Sequence, residues 1–175
     1  MDNSRGGSSL PPVIAFTLFH VALSLVAIVA GFVVAAGLLR SNGLDCWTRV
    51  FLWTTAATSV TGYLFPVHKL MPSHILGVIS LAVLSLTFFA LYKRRLAGAW
   101  RWIYAGGAVL SLYLNFFVLI AQSFAKIPAL KAMAPTQSEP PFVMAQCAAL
   151  VLFAALGIAA CLRFRPGPPV QGGPA

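Results

Sequence analysis

Five long apolar stretches follow one another along the chain, and short segments rich in polar residues, glycine and proline separate them. A helix needs about 20 consecutive apolar residues to cross the hydrocarbon core of a bilayer. Each stretch reaches or approaches that length, so the pattern predicts an all-α integral membrane bundle of five transmembrane helices. The predicted spans are 13–39, 47–65, 74–92, 100–124 and 142–162.

These spans form one predicted transmembrane domain, residues 13–165, between two predicted mobile tails, 1–12 and 166–175. Both tails are rich in small residues and proline and have little apolar surface to bury. The first apolar stretch is too long for a signal peptide, so we expect a retained helix. The IPALKAM segment between the last two spans predicts one or two helical turns lying in the membrane interface.

The composition agrees with a membrane domain and excludes an ordinary soluble one. Hydrophobic residues make up 59% of the chain, charged residues only 9%, and the mean hydropathy is +0.88. Soluble domains carry about 25% charged residues. The net charge of +9 lies in short clusters between the apolar stretches, which is not the basic face of a nucleic-acid-binding protein. The predicted partners are the lipid bilayer and either other membrane proteins or further copies of the chain, with no nucleic acid.

Basic residues also predict the orientation, because cytoplasmic loops of membrane proteins carry an excess of Lys and Arg. Five spans place the N-terminus and the second and fourth loops on one side, which holds Arg5, Lys69, Lys126 and Lys131. The opposite side holds twice as many basic residues: Arg40, Arg49, Lys93, Arg94, Arg95, Arg101, Arg163 and Arg165. We therefore predict an N-out, C-in orientation. Four tryptophans near the inner ends of the second and fourth spans fit an interfacial aromatic belt.

Each predicted span carries its small and polar residues along one face, as close helix packing in a membrane requires. The predicted inward-facing residues, span by span, are Thr17, His20, Ser24, Gly31 and Ala35; Thr54, Thr58 and Thr61; His74, Gly77, Leu81 and Ser85; Gly107, Ser111, Asn115 and Gln122; and Gln146, Phe153 and Gly157. With a rise of about 1.5 Å per residue, His20 lies roughly 10 Å inside the outer boundary. Asn115 and Gln146 fall near the same depth, whereas Thr61 and His74 lie nearer the boundary.

This predicted outer-leaflet group of His20, His74, Asn115 and Gln146 has two interpretations. In the first, His20, Asn115 and Gln146 bond one another and fix the register of the helices. In the second, they bind a cofactor. His20 and His74 are the one histidine pair placed to ligate the iron of haem b, and the SHILG stretch gives His74 a His-x-x-Gly spacing. A quinone is the alternative ligand, held by His20, Tyr113, Asn115 and Gln146.

The stretch GYLFPVHKLMPSHILGVISL, residues 62–81, carries two of the three histidines. Pro66, His68, Lys69 and Pro72 are interpreted as the outer cap of a helical hairpin. His74 and Gly77 then begin the third helix, with Ser73 as its predicted N-cap. The set His68, His74 and Glu139 is too weak a basis for a zinc site, although its members are expected on one side of the membrane.

Catalysis and transport find little support in the sequence. The acidic residues Asp2, Asp45 and Glu139 all lie outside the predicted spans, and the spans contain no Lys or Arg in their interior. Transporters and channels usually place such groups there. No phosphate-binding glycine loop or catalytic triad is recognisable, so no catalytic residue is predicted. The cysteines Cys46, Cys147 and Cys161 have neither disulfide-framework nor metal-ligand spacing.

Several segments resemble a group of small bacterial inner-membrane proteins that are described as hypothetical membrane proteins. The resemblance extends from Phe19 to Arg165 and is carried by FHVALSLVAIVAGF, TSVTGYLFP, PSHILGVISL, GAWRWIY, LYLNFFVLIAQSFAKIPAL and, most distinctively, APTQSEPPF. It implies a multi-pass protein of a bacterial cytoplasmic membrane and no particular activity. The segments SHILG and FHVAL are more loosely similar to DUF2306-type and cytochrome b561-like membrane proteins, although the full ligand set of the latter is absent.

The sequence as a whole favours a small multi-pass membrane protein without independent catalysis, acting as a subunit or stabiliser of a membrane assembly. The alternative is a redox or ligand-binding membrane protein that uses the outer-leaflet group for haem b or a quinone. Gly107 with Ser111, and Gly157 with Cys161, are small residues four apart that would allow close contacts within or between chains.

Overall fold

A computed structural model describes residues 11–64 and 72–165, apart from the side chains of residues 12 and 72–74. Most of both predicted tails lies outside the described residues. So does most of the predicted hairpin cap, with Pro66, His68 and Lys69. The described part is all-helical, as predicted from the apolar pattern. Its helices are α1 (Pro12–Leu39), α2 (Asp45–Gly62), α3 (Pro72–Phe88), α4 (Trp100–Lys126), α5 (Pro128–Met133) and α6 (Pro140–Arg163), with a π-helical turn (Phe89–Lys93) ending α3.

Four of these helices are long and apolar enough to cross a membrane within the described residues. They are Val13–Leu39, Ile75–Lys93, Trp100–Lys126 and Pro140–Arg163. The prediction of five apolar spans is confirmed for these four and needs correction for the second. There the structure has a helix, α2, that does not meet the same criteria of length and composition.

The reason lies in the residues of α2. Its length is not the cause, because its 18 residues make about 27 Å of helix, only one residue fewer than Ile75–Lys93. Asp45 and Arg49 lie in its first turns, and six hydroxyl residues follow one another along the rest: Thr48, Thr54, Thr55, Thr58, Ser59 and Thr61. These side chains lower the hydropathy of α2 far below that of its neighbours.

Helix α4 is the central element of the bundle, since it packs against α1, α3 and α6 and also contacts α2. Its buried residues include Ala105, Ala108 and Leu112. Phe153 of α6 lies beside α4 and α1, with its ring centroid 5.3 Å from that of Phe116 and 5.9 Å from that of Phe32. Small residues on α4 therefore let three helices approach, and aromatic rings fill the space that remains.

One end of the bundle brings together the termini of four helices. Ser41, which follows α1, donates its hydroxyl to the carbonyl of Arg165 after α6 and accepts the Arg165 N–H, both at 2.8 Å. Tyr104 of α4 packs against Phe164 with ring centroids 5.6 Å apart. The first turns of α2 and α4 lie at this same end. We call it the basic end, because it carries all eight basic residues predicted for the inner side.

The π-helical turn and the loop after it also belong to the basic end. The Arg94 N–H donates to Phe89 O at 3.0 Å, and the Leu96 N–H donates to Ala90 O at 3.1 Å. Arg95 and Leu96 adopt φ angles of 47° and 58°, a left-handed conformation in which a β-carbon is strained. These bonds use carbonyls that the end of α3 would otherwise leave unpaired.

The opposite end of the bundle, which we call the far end, is closed by α5 and the loop to α6. The helical turns predicted at IPALKAM correspond to α5. Gln137 of the following loop has a φ of 59° and donates its side-chain N–H to the carbonyl of Ala121 on α4 at 2.8 Å. Phe142 then packs edge-on against Phe124, with centroids 5.4 Å apart. These contacts hold the start of α6 against the end of α4.

Candidate functional site

The polar side chains of α2 are the residues that connect it to the rest of the bundle. Near the basic end, the Thr48 hydroxyl lies 3.2 Å from the Tyr104 hydroxyl of α4. Further along, Asn115 of α4 donates its side-chain N–H to Thr55 Oγ1 at 3.1 Å. Thr48 is 5% exposed and Thr55 fully buried. Both bonds lie between α2 and α4, in an interior where an unpaired polar group is costly.

Two further side chains of α2 bond other helices toward the far end. The Ser59 hydroxyl lies 3.0 Å from the Ser80 hydroxyl of α3, and Thr61 Oγ1 lies 2.8 Å from His20 Nδ1 of α1. Trp47, Trp53 and Val60 of α2 are large, apolar and exposed, and Arg49 near its start is exposed as well. Helix α2 thus presents hydroxyls to the protein together with the buried Phe51 and Leu52. We call Thr48, Thr55 and Ser59 the α2 polar face; Thr61 projects from a different side of the helix, toward α1.

The hydrogen bonds of Thr61 orient the imidazole of His20. The Thr61 hydroxyl donates to the carbonyl of Ala57 at 2.8 Å, so its oxygen accepts from His20. In that arrangement His20 Nδ1 is the donor in its contact with Thr61 Oγ1. The Ser24 hydroxyl donates to the carbonyl of His20 one turn later. His20 is accordingly oriented by a side chain of α2, a neighbour that the sequence did not indicate.

Gln146 has a different arrangement from His20 and Asn115. It is 9% exposed, and its side-chain N–H donates to the backbone carbonyl of Phe117 on α4 at 3.2 Å. Its Oε1 has no hydrogen-bond partner among the described residues, and the same holds for Thr58 Oγ1 and Ser111 Oγ. Each such group costs about 1–3 kcal/mol when buried without a partner.

The structure therefore distributes the predicted outer-leaflet group over separate bonds. His20 is bonded to Thr61, Asn115 to Thr55 and Gln146 to the backbone at Phe117. His74 lies in the first turn of α3, and its side chain is outside the described part of the chain. Tyr113, predicted as a quinone-binding residue, packs against Phe153 with ring centroids 5.8 Å apart.

Some of the predicted inward faces are correct and others are not. Gly107, Ser111 and Asn115 face the protein, but Gln122 is exposed. On α2, the Thr54 hydroxyl donates to the carbonyl of Val50 in the same helix at 2.7 Å and does not bond another helix. On α3, Ser85 is exposed and bonds the carbonyl of Leu81. The buried residues of α3 are instead Ser80, Leu84 and Thr87.

Sequence reasoning missed Thr48, Thr55, Ser59 and Tyr104. The signal was present, because Thr48, Thr55 and Ser59 are spaced seven and four residues apart and so share a face of a helix. Thr54, Thr58 and Thr61 give an equally regular spacing. When one short helix has two such sets of hydroxyl residues, the sequence does not show which set bonds the other helices, because that depends on the positions of the neighbouring helices.

Glu139 anchors the loop before α6 with its carboxylate. Oε1 accepts from the Thr136 hydroxyl at 2.8 Å and from the Thr136 N–H at 3.1 Å, and Oε2 accepts from the Ser138 N–H at 3.1 Å. Slight desolvation raises the pKa of this carboxyl, but the hydrogen bonds from Thr136 and Ser138 lower it further, so the net pKa lies below its usual value. Glu139 is therefore engaged within its own loop.

The chemistry open to the described residues is limited. They contain no group of three or more His, Cys, Asp or Glu side chains that could hold a metal ion. Cys46, Cys147 and Cys161 are free thiols. The α2 polar face offers hydrogen bonds in a medium of low dielectric constant, where they favour one packing of the helices over others.

Comparisons with known proteins do not add a relative: no protein-family model, curated protein or solved structure matches this chain.

Proposed function

We propose that this protein is a non-catalytic integral membrane component that acts as a subunit or stabiliser of a membrane assembly. The observation that carries the proposal is the use of the polar side chains in packing. Thr48, Thr55, Ser59 and Thr61 each bond a side chain of another helix. The hydroxyls of α2 that reach other helices are thus committed to the bundle itself.

We further propose that α2 crosses the bilayer as a fifth, inner helix. Its low hydropathy does not oppose this, because the α2 polar face is turned toward protein while Trp53 and Val60 are exposed. It also packs extensively along α1, which is itself long enough to span. Polar residues in a membrane are tolerated when they face the bundle interior.

The proposed orientation is N-out and C-in, and the proposed location is a bacterial cytoplasmic membrane. Support for the orientation comes from the eight basic residues of the basic end, against Lys126 and Lys131 among the described residues near the far end. Support for the location comes from the resemblance to small bacterial inner-membrane proteins.

The test of the proposed function starts from the purified protein in mild detergent. We expect no Soret band in the oxidised protein and no α or β band after dithionite reduction. His20→Ala should lower the midpoint of thermal unfolding, because it removes the bond to Thr61. A Soret band that disappears in both His20→Ala and His74→Ala would contradict the proposal and identify a membrane cytochrome.

Participation in an assembly needs a separate measurement. Blue-native electrophoresis of membranes solubilised in mild detergent should give a species larger than the chain alone, and cross-linked mass spectrometry should identify its components. Migration as a monomer under every mild solubilisation condition would argue against a role as a subunit.

The second candidate function is a redox or ligand-binding protein, and one observation favours it. The Thr61 hydroxyl lies 2.8 Å from His20 Nδ1 and so holds the imidazole in one orientation, as the hydrogen-bond partners of metal-ligating histidines do. In this reading His20 and His74 would ligate haem iron, and Asn115 and Gln146 would complete a cofactor site. A quinone bound at the same level would be colourless in the visible range and would appear in organic extracts of the purified protein.

A further inference from the structure

A groove of about 500 Å³ runs along the outside of the bundle between α4 and α6. Its floor is formed by Val109 and Phe153, which are each 3% exposed. Its rims are large apolar side chains that are 43–73% exposed, namely Leu110, Leu150, Ile158 and Leu162. The volume lies within the ~300–1,000 Å³ typical of sites for small ligands.

Glycines create the depth of this groove. A β-carbon at Gly106 would lie 3.6 Å from Cys161 Sγ, and one at Gly157 would lie 3.6 Å from Val109 Cγ1. The two helices therefore touch at ordinary contact distance along the floor. Near the basic end they are also joined by the Cys161 thiol, which donates to the carbonyl of Trp102 at 3.6 Å.

A basic and an aromatic side chain lie on α4 just beyond the lining residues of the groove, toward the basic end. Trp102 lies one helical turn before Gly106 on α4, on the same face as the groove, and is 51% exposed. The guanidinium of Arg101 lies over the Trp102 ring, 5.1 Å from its centroid. Arg101 has no ion pair with an acidic residue among the described residues. A positive charge is thus held, without a counter-charge, at the mouth of an apolar groove.

We propose that this groove binds one anionic phospholipid. An acyl chain lies between α4 and α6, and the phosphate of the headgroup meets Arg101 at the basic end. The charge at the mouth selects this occupant over a neutral lipid, since each Lys or Arg near a membrane surface favours anionic lipid. The other basic residues of the same end add to this attraction. The inference requires only that α4 and α6 cross the membrane, so it does not depend on the proposed role as a subunit.

Native mass spectrometry of the purified protein, titrated with phosphatidylglycerol or phosphatidylcholine of the same acyl chains, tests the proposal. We expect one lipid per chain and tighter binding of phosphatidylglycerol. Arg101→Gln should weaken phosphatidylglycerol binding about five-fold and phosphatidylcholine binding less, because the choline cation already offsets the charge of its phosphate. Arg49→Gln is the matched control, because Arg49 lies at the same end but on α2, and it should have a much smaller effect.

A second variant tests the groove itself. Ala154 lines the groove and is exposed, and its neighbour Ala155 is exposed but outside it. Ala154→Phe should reduce binding of both lipids, whereas Ala155→Phe should not. Equal affinity for the two lipids, or wild-type binding by Arg101→Gln and Ala154→Phe, would overturn the proposal. So would dimers in mild detergent that Ala154→Phe dissociates without changing lipid binding, because the occupant would then be a second copy of the chain.

Discussion

At Gly107, α4 comes so close to α3 that a β-carbon there would overlap Thr87 Oγ1. Gly31 is similar, since a β-carbon would lie 2.9 Å from Phe51 Cε2 of α2. Thr87 is fully buried, and its hydroxyl donates to the carbonyl of Val83 at 2.8 Å. At the scale of single residues, the bundle therefore depends on positions where even one methyl group has no room.

Gly107→Ala should lower the free energy of unfolding by about 1–3 kcal/mol, because the added methyl group forces α3 and α4 apart. Gly106→Ala is the matched control, since its β-carbon would meet Cys161 Sγ at an ordinary 3.6 Å. Denaturant titration in mild detergent measures both. Partial recovery of stability in Gly107→Ala with Thr87→Ala would assign the loss to this contact, and equal effects at Gly106 and Gly107 would contradict it.

Glu139 makes a pH-dependent contribution at the far end. Because its pKa is lower in the folded loop than in an unfolded chain, it stabilises the loop above the unfolded-state pKa. That contribution is lost as the pH falls through the folded-state pKa. Glu139 is the single glutamate in the sequence, so the side-chain carboxyl carbon of labelled protein can be followed by NMR. We expect a titration midpoint below that of a free glutamate.

Thr136→Val provides the control for this titration. It removes the hydroxyl that donates to Glu139 Oε1 and should move the midpoint upward, toward the usual pKa of glutamate. A wild-type midpoint at or above the usual value would show that the loop bonds do not hold the carboxylate.

At the scale of elements, α2 meets its neighbours with hydroxyls as well as with apolar side chains. Thr48 and Thr55 bond side chains of α4, and Phe51 and Leu52 are buried beside them. Such an element is held by hydrogen bonds and close packing, because in lipid no hydrophobic force drives helices together. The individual bonds are weak, at about 0.6 kcal/mol on average. Four of them, to α1, α3 and α4, nevertheless restrict the rotation of α2 in the bundle.

The adjacent residues Thr54 and Thr55 allow a bond within α2 to be compared with a bond to another helix. Thr54 bonds the backbone of α2, whereas Thr55 accepts from Asn115 of α4. Thr55→Val removes the acceptor for Asn115 and should cost about 1 kcal/mol of unfolding free energy. Thr54→Val removes only a bond within α2 and should cost less. In a double-mutant cycle with Asn115→Leu, the coupling at Thr55 should be about 0.6 kcal/mol. A coupling equal to that at Thr54 would contradict the interhelical bond.

The apolar pattern was sufficient to predict the helices and most of their limits. Helix α1 ends at Leu39 and α4 begins at Trp100, both at the residues predicted from the sequence. Polar partners were harder to predict. Helical spacing places Thr55 and Asn115 on inward faces only after the rotation and depth of two helices are known together. The Tyr104 hydroxyl gave no signal, because a tyrosine near a helix end is equally typical of the membrane interface.

At the scale of the whole molecule, the two ends differ in charge and in construction. The basic end carries unpaired cations and the aromatic rings stacked on them, such as Arg94 with its guanidinium 5.0 Å from the Trp100 ring centroid. The far end is closed by α5 and the Glu139 loop. This asymmetry is the physical basis of the proposed orientation, and it places the proposed lipid headgroup and the C-terminus on the same side.

The most direct measurement is thiol labelling at the two ends of α2 with a membrane-impermeant reagent, in intact and in opened cells. Cys46 lies at the basic end and Leu64 just beyond the other end of α2, and both are exposed. In a Cys147→Ala, Cys161→Ala background, Cys46 should react only after the cells are opened. In the same background with Cys46→Ala, Leu64→Cys should react in intact cells. Labelling of both positions from the same side would contradict the proposal that α2 crosses the membrane as an inner helix.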